Sequence, residues 1–218
     1  MSKKESAKAT LDLPEVNFSD YGDVRFLHLG TEWVQGSMLR DAPYDIELEY
    51  VQRMMGGLLF MDAESVAKKH AMQLGLGSAA LTKFCHKKLR MKTTAIEINP
   101  QVITACRLWF KLPHDDSRLS VIQADAADEI QKSAHQGTVD LLHVDLYDDQ
   151  AAAPVLDDED FYAHCRDLLT EDGVMTVNLF GRNSSYEQSL VKMAEAFGPE
   201  CIWAFRPTRE GNSGVLAQ

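Results

Sequence analysis

The sequence predicts an α/β fold built on a mostly parallel sheet, and three observations carry that prediction. Apolar strand-like runs alternate with helical patterns from His70 to the end of the chain. The runs AMQLG, TTAIEI, LSVIQA, VDLLHVD, VMTVNLF and CIWAFR are apolar nearly throughout, as strands covered on both faces must be. A glycine turn, Gly75, Gly77 and Ser78, joins the first run to the helical pattern behind it. Repeated β-then-α units of this length imply right-handed crossovers between parallel neighbours.

Residues 1–20 are polar and aperiodic and read as a flexible tail. Residues 21–62 form a small N-terminal β-hairpin and helix region. VRFLHLG and EWVQGSML are its strands, separated by a Gly-Thr turn. Tyr44 to Phe60 then carries a helical stripe of Leu48, Val51, Met55 and Leu58, with Gly56 and Gly57 near its end. Residues 63–218 form the main α/β domain. Its helical patterns are Leu81/Phe84/Cys85/Leu89, Val102/Ile103/Cys106/Trp109, Phe161/Cys165/Leu168 and Tyr186/Leu190/Met193/Phe197. Asn99-Pro100 supplies a cap and a first-turn proline, and the acidic run 157–160 favours a helix start after it. TREGNSG reads as a hairpin loop into a last, antiparallel strand, GVLAQ. Such a reversal makes a mostly parallel seven-stranded sheet of the methyltransferase-like Rossmann kind, with a short N-terminal β-appendage.

The chain has 218 residues, enough for one domain with a substantial core. It carries 33 acidic against 22 basic residues, a formal charge of −11, which repels phosphate backbones and argues against a nucleic-acid partner. Four cysteines without a CxxC pair read as reduced thiols, and seven histidines without HxxxH or HExxH spacing argue against a metal site. The opening MSKKESAKAT lacks an apolar segment and no run approaches eighteen apolar residues, so no membrane partner and a cytoplasmic location are expected.

The candidate site residues sit where strands end. Gly75 and Gly77 let backbone approach a ligand, and the following helix N-terminus offers free N–H groups; tight strand-to-helix turns also need glycine for geometry alone. Glu97 stands twenty residues past Gly77 at the end of the next run, the layout of a carboxylate that takes both hydroxyls of a ribose. Asp125 ends the third run, where in adenosine-binding versions of this fold an acid reaches the adenine amino group and the next backbone N–H, here that of Ala126, meets a ring nitrogen. Its competing role is to cap the helix beginning at Ala126. Asp145 and Asp148 end the fourth run with Leu146 and Tyr147 between them. Two carboxylates so spaced can hold an ammonium group and take its proton, which an amine must lose before it can attack. Methyltransferases acting on nucleobase amines carry [DNS]PP[YFW] here, whereas this chain has DLYD. Gln35 and Gln52 are polar residues within apolar patterns, a placement that also suits solvent-facing positions.

Taken together, these motifs resemble the spermidine/spermine synthase family of aminopropyltransferases over roughly 31–180. Trp33-Val34-Gln35 is similar to its glutamine-bearing N-terminal strand. Gln52-Arg53-Met54 is similar to its Tyr-His/Gln-Glu-Met helix, with Tyr50 displaced by one position. Gly75 to Ala80 lies on GGGDGG, Glu97-Ile98-Asn99 on Glu-Ile-Asp, Ala124-Asp125-Ala126 on Gly-Asp-Gly/Ala, Asp145 to Asp148 on Asp-Ser-Ser-Asp, and Asp160-Phe161-Tyr162 on Glu-Phe-Tyr.

The resemblance implies that Glu97 and Ile98 bind ribose, Asp125 and Ala126 adenine, and Gln35 and Gln52 the nucleoside or acceptor. Asp145 would be the acid/base residue, with Asp148 and Tyr147 at the amine site. It further implies decarboxylated S-adenosylmethionine as co-substrate, no permanently bound cofactor, a small-molecule amine such as putrescine as acceptor, and a homodimer. Ser78 departs from the pattern, standing where the family's aspartate grips the aminopropyl end. That substitution leaves open ordinary S-adenosylmethionine with small-molecule methyl transfer, or a non-catalytic nucleoside- or polyamine-binding homologue.

Overall fold

The computed structural model describes residues 13–147, 160–180 and 184–218. It opens with an antiparallel three-stranded sheet, β1 (Val16–Tyr21), β2 (Val24–Leu29) and β3 (Val34–Leu39). The predicted hairpin is therefore present as β2 and β3, but β1 corrects the reading of residues 1–20 as tail, since Val16 to Tyr21 pair in full register with β2. Most of β1 faces solvent, so its sequence shows no apolar face. Its order comes from pairing and from two contacts across the chain: Phe18 stacks on Trp109 at 5.2 Å, and Arg25 lies 4.6 Å over the Phe18 ring.

The helix expected over 44–60 is shorter. Helix α1 (Glu49–Met54) tightens into a 3₁₀ segment over Met55–Phe60. The cause is close packing at the two glycines, where a Cβ on Gly57 would stand 2.5 Å from Leu141 Cδ1 and one on Gly56 2.9 Å from Phe205. Val51, Met54 and Leu141 bury their side chains in one cluster at this contact.

The main sheet has seven strands: β4 (His70–Leu74), β5 (Lys92–Glu97), β6 (Leu119–Gln123), β7 (Val139–Val144), β8 (Leu169–Phe180), β9 (Ile202–Ala204) and β10 (Asn212–Ala217). Their spatial order is β6-β5-β4-β7-β8-β10-β9. The first five are parallel, and β10 runs antiparallel to β8 and β9, the reversal read from TREGNSG. The α-helices beside the sheet are α2 (Ala80–Lys83), which runs on into a π-helical turn over Phe84–Lys88, α3 (Pro100–Trp109), α4 (Ala126–Glu129), α5 (Phe161–Leu168) and α6 (Ser184–Phe197). Asn99 caps α3 as expected, accepting from the Gln101 N–H ahead of Pro100. One face of the sheet packs Met72, Leu142 and Met175 against α5 and α6; the other packs Ala71 and Leu141 under α1 and α2.

This order sets the position of the site. Strands β5 and β7 flank β4 on opposite sides, so the order of strands reverses at β4 and makes the carboxyl ends of β4 and β7 the sheet's switch point. Ligands of open α/β sheets bind in a crevice at such a point, beyond the carboxyl ends of the strands.

Candidate active site at the sheet's switch point

The turn after β4 is built to bring backbone together. Gly75 has φ +81°, its N–H donates to the Ile96 carbonyl, and a Cβ there would overlap the Asp145 carbonyl. Gly77 has φ +50°, and Ala79 enters α2 with φ +60°. Buried Gln73 ties the turn down by donating to the Leu76 carbonyl at 3.4 Å and accepting from the Thr82 N–H and hydroxyl at 3.1 and 2.5 Å.

Glu97 is almost fully buried at the end of β5. Its two oxygens accept from the N–H groups of Leu76 and Asn99, both at 2.8 Å. Burial pushes its pKa up, while backbone donors including that of Ile98 pull it down. Asp125, at the end of β6, is exposed and caps α4 by accepting from the Ala127 N–H at 2.9 Å; Ala126 behind it is buried. The three acids at 97, 125 and 145 thus close β5, β6 and β7 on one edge.

A small hollow opens beside the turn, lined among others by Gln35, Tyr50, Leu76, Gly77, Ser78 and Asp145. Of the three acids, Asp145 lines it; Glu97 and Asp125 stand at the neighbouring strand ends. Asp145 Oδ1 accepts from Asn178 Nδ2 at 2.9 Å, and the Tyr50 phenol faces its carboxylate across the hollow. Burial pushes the Asp145 pKa up to about 6, partly opposed by the Asn178 donor and the nearby Tyr50 phenol. Burial and the nearby Asp145 charge push the Tyr50 and Tyr147 phenols up as well. Tyr147 donates to the Asn178 carbonyl at 3.2 Å.

Several expectations change here. Gln52 is exposed and donates to the Ile46 and Glu47 carbonyls, so it does not line the hollow; Tyr50, two residues earlier on α1, does. One helical turn holds both residues, and the sequence placed the right segment with the wrong face inward. Ser78 is buried and gives its hydroxyl to the Ser37 carbonyl at 2.8 Å, binding the turn to β3. Asp148 lies outside the described residues. No sequence pattern marked Asn178 or Asn212, which reach the site from β8 and β10. Cys85, Cys106 and Cys165 are free and buried, as their apolar surroundings predicted.

A reversal-bearing sheet with a glycine turn and a buried acid at its switch point defines a transferase of the methyltransferase-like α/β class. The chain belongs to the spermine/spermidine synthase domain family, whose pattern matches residues 51–209. A polyamine aminopropyltransferase of Neisseria meningitidis is 35% identical over 205 residues, covering 94% of this chain and 76% of the relative. Its counterpart in Chromobacterium violaceum is 34% identical over 206 residues, with the same coverage. Among solved structures, a probable spermidine synthase from Corynebacterium glutamicum shares the fold with a TM-score of 0.76 at 18% identity, covering 94% of this chain and 76% of that one. Human methyltransferase-like protein 13 in complex with SAH shares it with a TM-score of 0.70 at 24% identity, covering 79% and 82%. Among the described residues, no helix is long and apolar enough to cross a membrane.

Proposed function

We propose that this chain is a polyamine aminopropyltransferase: it moves an aminopropyl group from decarboxylated S-adenosylmethionine to a small amine such as putrescine, with Asp145 as the base. The observation that carries the reading is Asp145 itself, a carboxyl placed in the hollow at the switch point with its pKa raised to about 6. An alkylammonium has a pKa of about 10, far above that of an ordinary carboxylate. Raising the acceptor's pKa narrows that gap, while at neutral pH most of the carboxylate remains ionised and attracts the cation.

The amine nitrogen attacks the aminopropyl carbon on the far side from sulfur. The N–C bond forms, the C–S bond breaks, and its electron pair neutralises the sulfonium, releasing methylthioadenosine. The proton lost by the amine passes to Asp145. No charge need be created in this step, so alignment of nitrogen, carbon and sulfur is the main contribution required of the site. Glu97 and Ile98 would hold the ribose, Asp125 and Ala126 the adenine, and Gln35, with the backbone of Gly75 and Gly77, the rest of the donor. Tyr50 and Tyr147, with Asp148, would wall the amine. The acidic surface suits cationic substrates, and the reading includes a homodimer working in the cytoplasm.

The uncharged Ser78, whose hydroxyl is engaged by Ser37, favours a second reading: methyl transfer from ordinary S-adenosylmethionine. Mass analysis of products formed from each donor with an amine panel separates the two. Aminopropylated product supports the first reading, and methylated product replaces it with the second. Asp145→Asn is expected to lower turnover at least about 100-fold while donor binding persists; an unimpaired rate removes Asp145 as the base.

A further inference from the structure

Asp145 is held from a part of the chain that the proposed reaction has not yet used, the C-terminal hairpin. Asn178 lies on β8, 1% exposed, and its Nδ2 donates to Asp145 Oδ1 at 2.9 Å. Its Oδ1 accepts from Asn212 Nδ2 at 3.2 Å. Asn212 opens β10, diagonal to Asn178, which pairs with Gly214. Asn212 is in turn clamped by Thr208: the Thr208 N–H donates to the Asn212 carbonyl at 2.8 Å, and the Asn212 N–H to the Thr208 hydroxyl at 3.3 Å. The Tyr147 phenol donates to the Asn178 carbonyl at 3.2 Å.

The donor and acceptor chemistry gives this chain of bonds a direction. An ionised carboxylate only accepts, so Asn178 must present its NH₂ to Asp145 and its oxygen to Asn212, which must answer with its own NH₂. Each amide therefore points its positive end toward the acid. Without Asn212, only the bond to the carboxylate itself opposes rotation of the Asn178 amide, whose rotated form sets oxygen against carboxylate.

We propose that Asn212 and Asn178 are positioning residues for the reaction: Asn212 fixes the Asn178 amide so that it donates to Asp145, aiming the carboxylate and favouring its ionised form. The proposal rests on Asp145 being the base. Among the described residues, the titratable groups facing Asp145 are Tyr50 from α1 and Tyr147 from its own loop, and both phenols are held neutral. His143, two residues earlier on β7, is likewise neutral, its pKa pushed down to about 3 by burial.

The test is the titration of the Asp145 carboxyl, followed by carbon-13 NMR in protein labelled at the aspartate carboxyls, with Asp145→Asn assigning the signal. It is read beside the pH dependence of kcat/KM. In Asn178→Ala, both the carboxyl midpoint and the acid limb are expected to rise by about one pH unit, since a donor to the charged form is lost. In Asn212→Ala they rise in the same direction by less, with kcat reduced about tenfold and KM for the donor within about twofold. Asn212 is half-buried, so its variant keeps the test open if Asn178→Ala fails to fold. An Asp145 titration unmoved in either foldable variant overturns the proposal. Full activity in Asp145→Asn instead removes the base assignment, and the carboxyl titration distinguishes that failure because it requires no turnover.

Discussion

Asp145 illustrates how a site opposes stability. Its pKa is raised from 3.8 to about 6, so between these values the folded protein binds more protons than the unfolded chain. Stability contributed by this group therefore falls as pH rises from about 4 to about 6, and stays lowered above that. Asp145→Asn removes the buried charge, and at pH 8 the variant is expected to exceed the parent by up to about 3 kcal/mol, the full shift converted at 1.36 kcal/mol per unit. At pH 4 the gap closes. Urea melts at both pH values check this, and equal stability at pH 8 would mean the carboxylate carries no burial penalty. Asp145, Glu97 and Asp125 were legible because each ends an apolar run, and a strand end is a place on the sheet edge. Asn178 was not, since an asparagine inside VMTVNLF announces no partner until β10 lies beside it.

Among the elements, α2 and α3 are joined by a buried cation. Lys83 on α2 is 1% exposed, and its Nζ donates to the Phe110 carbonyl at the C-terminal end of α3, where a positive charge meets the helix dipole. Burial still lowers its pKa from 10.5 to about 8. The unfolded chain then binds more protons than the folded one between those values, so stability gains from this residue as pH rises from about 8 to about 10.5. Lys83→Met is expected to lose that gain, leaving the parent-minus-variant stability difference to grow across the range. Guanidinium melts at pH 7.5 and 10 measure it, and a constant difference would show that Lys83 titrates normally. The helix over Ala80 to Lys83 was legible from its apolar stripe. The inward lysine was not, because helical periodicity assigns lysine to solvent unless a carbonyl such as that of Phe110 waits inside.

In the molecule as a whole, the N-terminal sheet and the main sheet meet at the glycine turn. Gly36 on β3 lies against Ser78 so closely that a Cβ would stand 2.6 Å from its Oγ and 2.8 Å from its backbone nitrogen. Gln35 beside it lines the hollow. Gly36→Ala must push β3 away from the turn, because backbone there cannot yield as a side chain tip could. The expected result is a loss of about 100-fold in kcat/KM, the scale of a misplacement near 1 Å, with an unchanged circular dichroism spectrum. Retained activity would show that β3 does not shape the hollow.

The order of patterns along the chain was enough to establish a mostly parallel α/β sheet with a final reversal, the glycine turn, and acids at the ends of β5, β6 and β7, because periodicity and strand ends are local properties. Motif spacing was likewise enough to establish the family. Tertiary structure decided which face of α1 enters the hollow, so that Tyr50 and not Gln52 meets Asp145. It decided that β1 is a strand although it lacks an apolar face, since hydrogen bonds to β2 supply what its side chains do not. It also decided that Asn212 stands within two bonds of the acid. Contacts between residues far apart in the chain arise from strand order, and strand order is set by the packing of the entire sheet, which no local pattern contains.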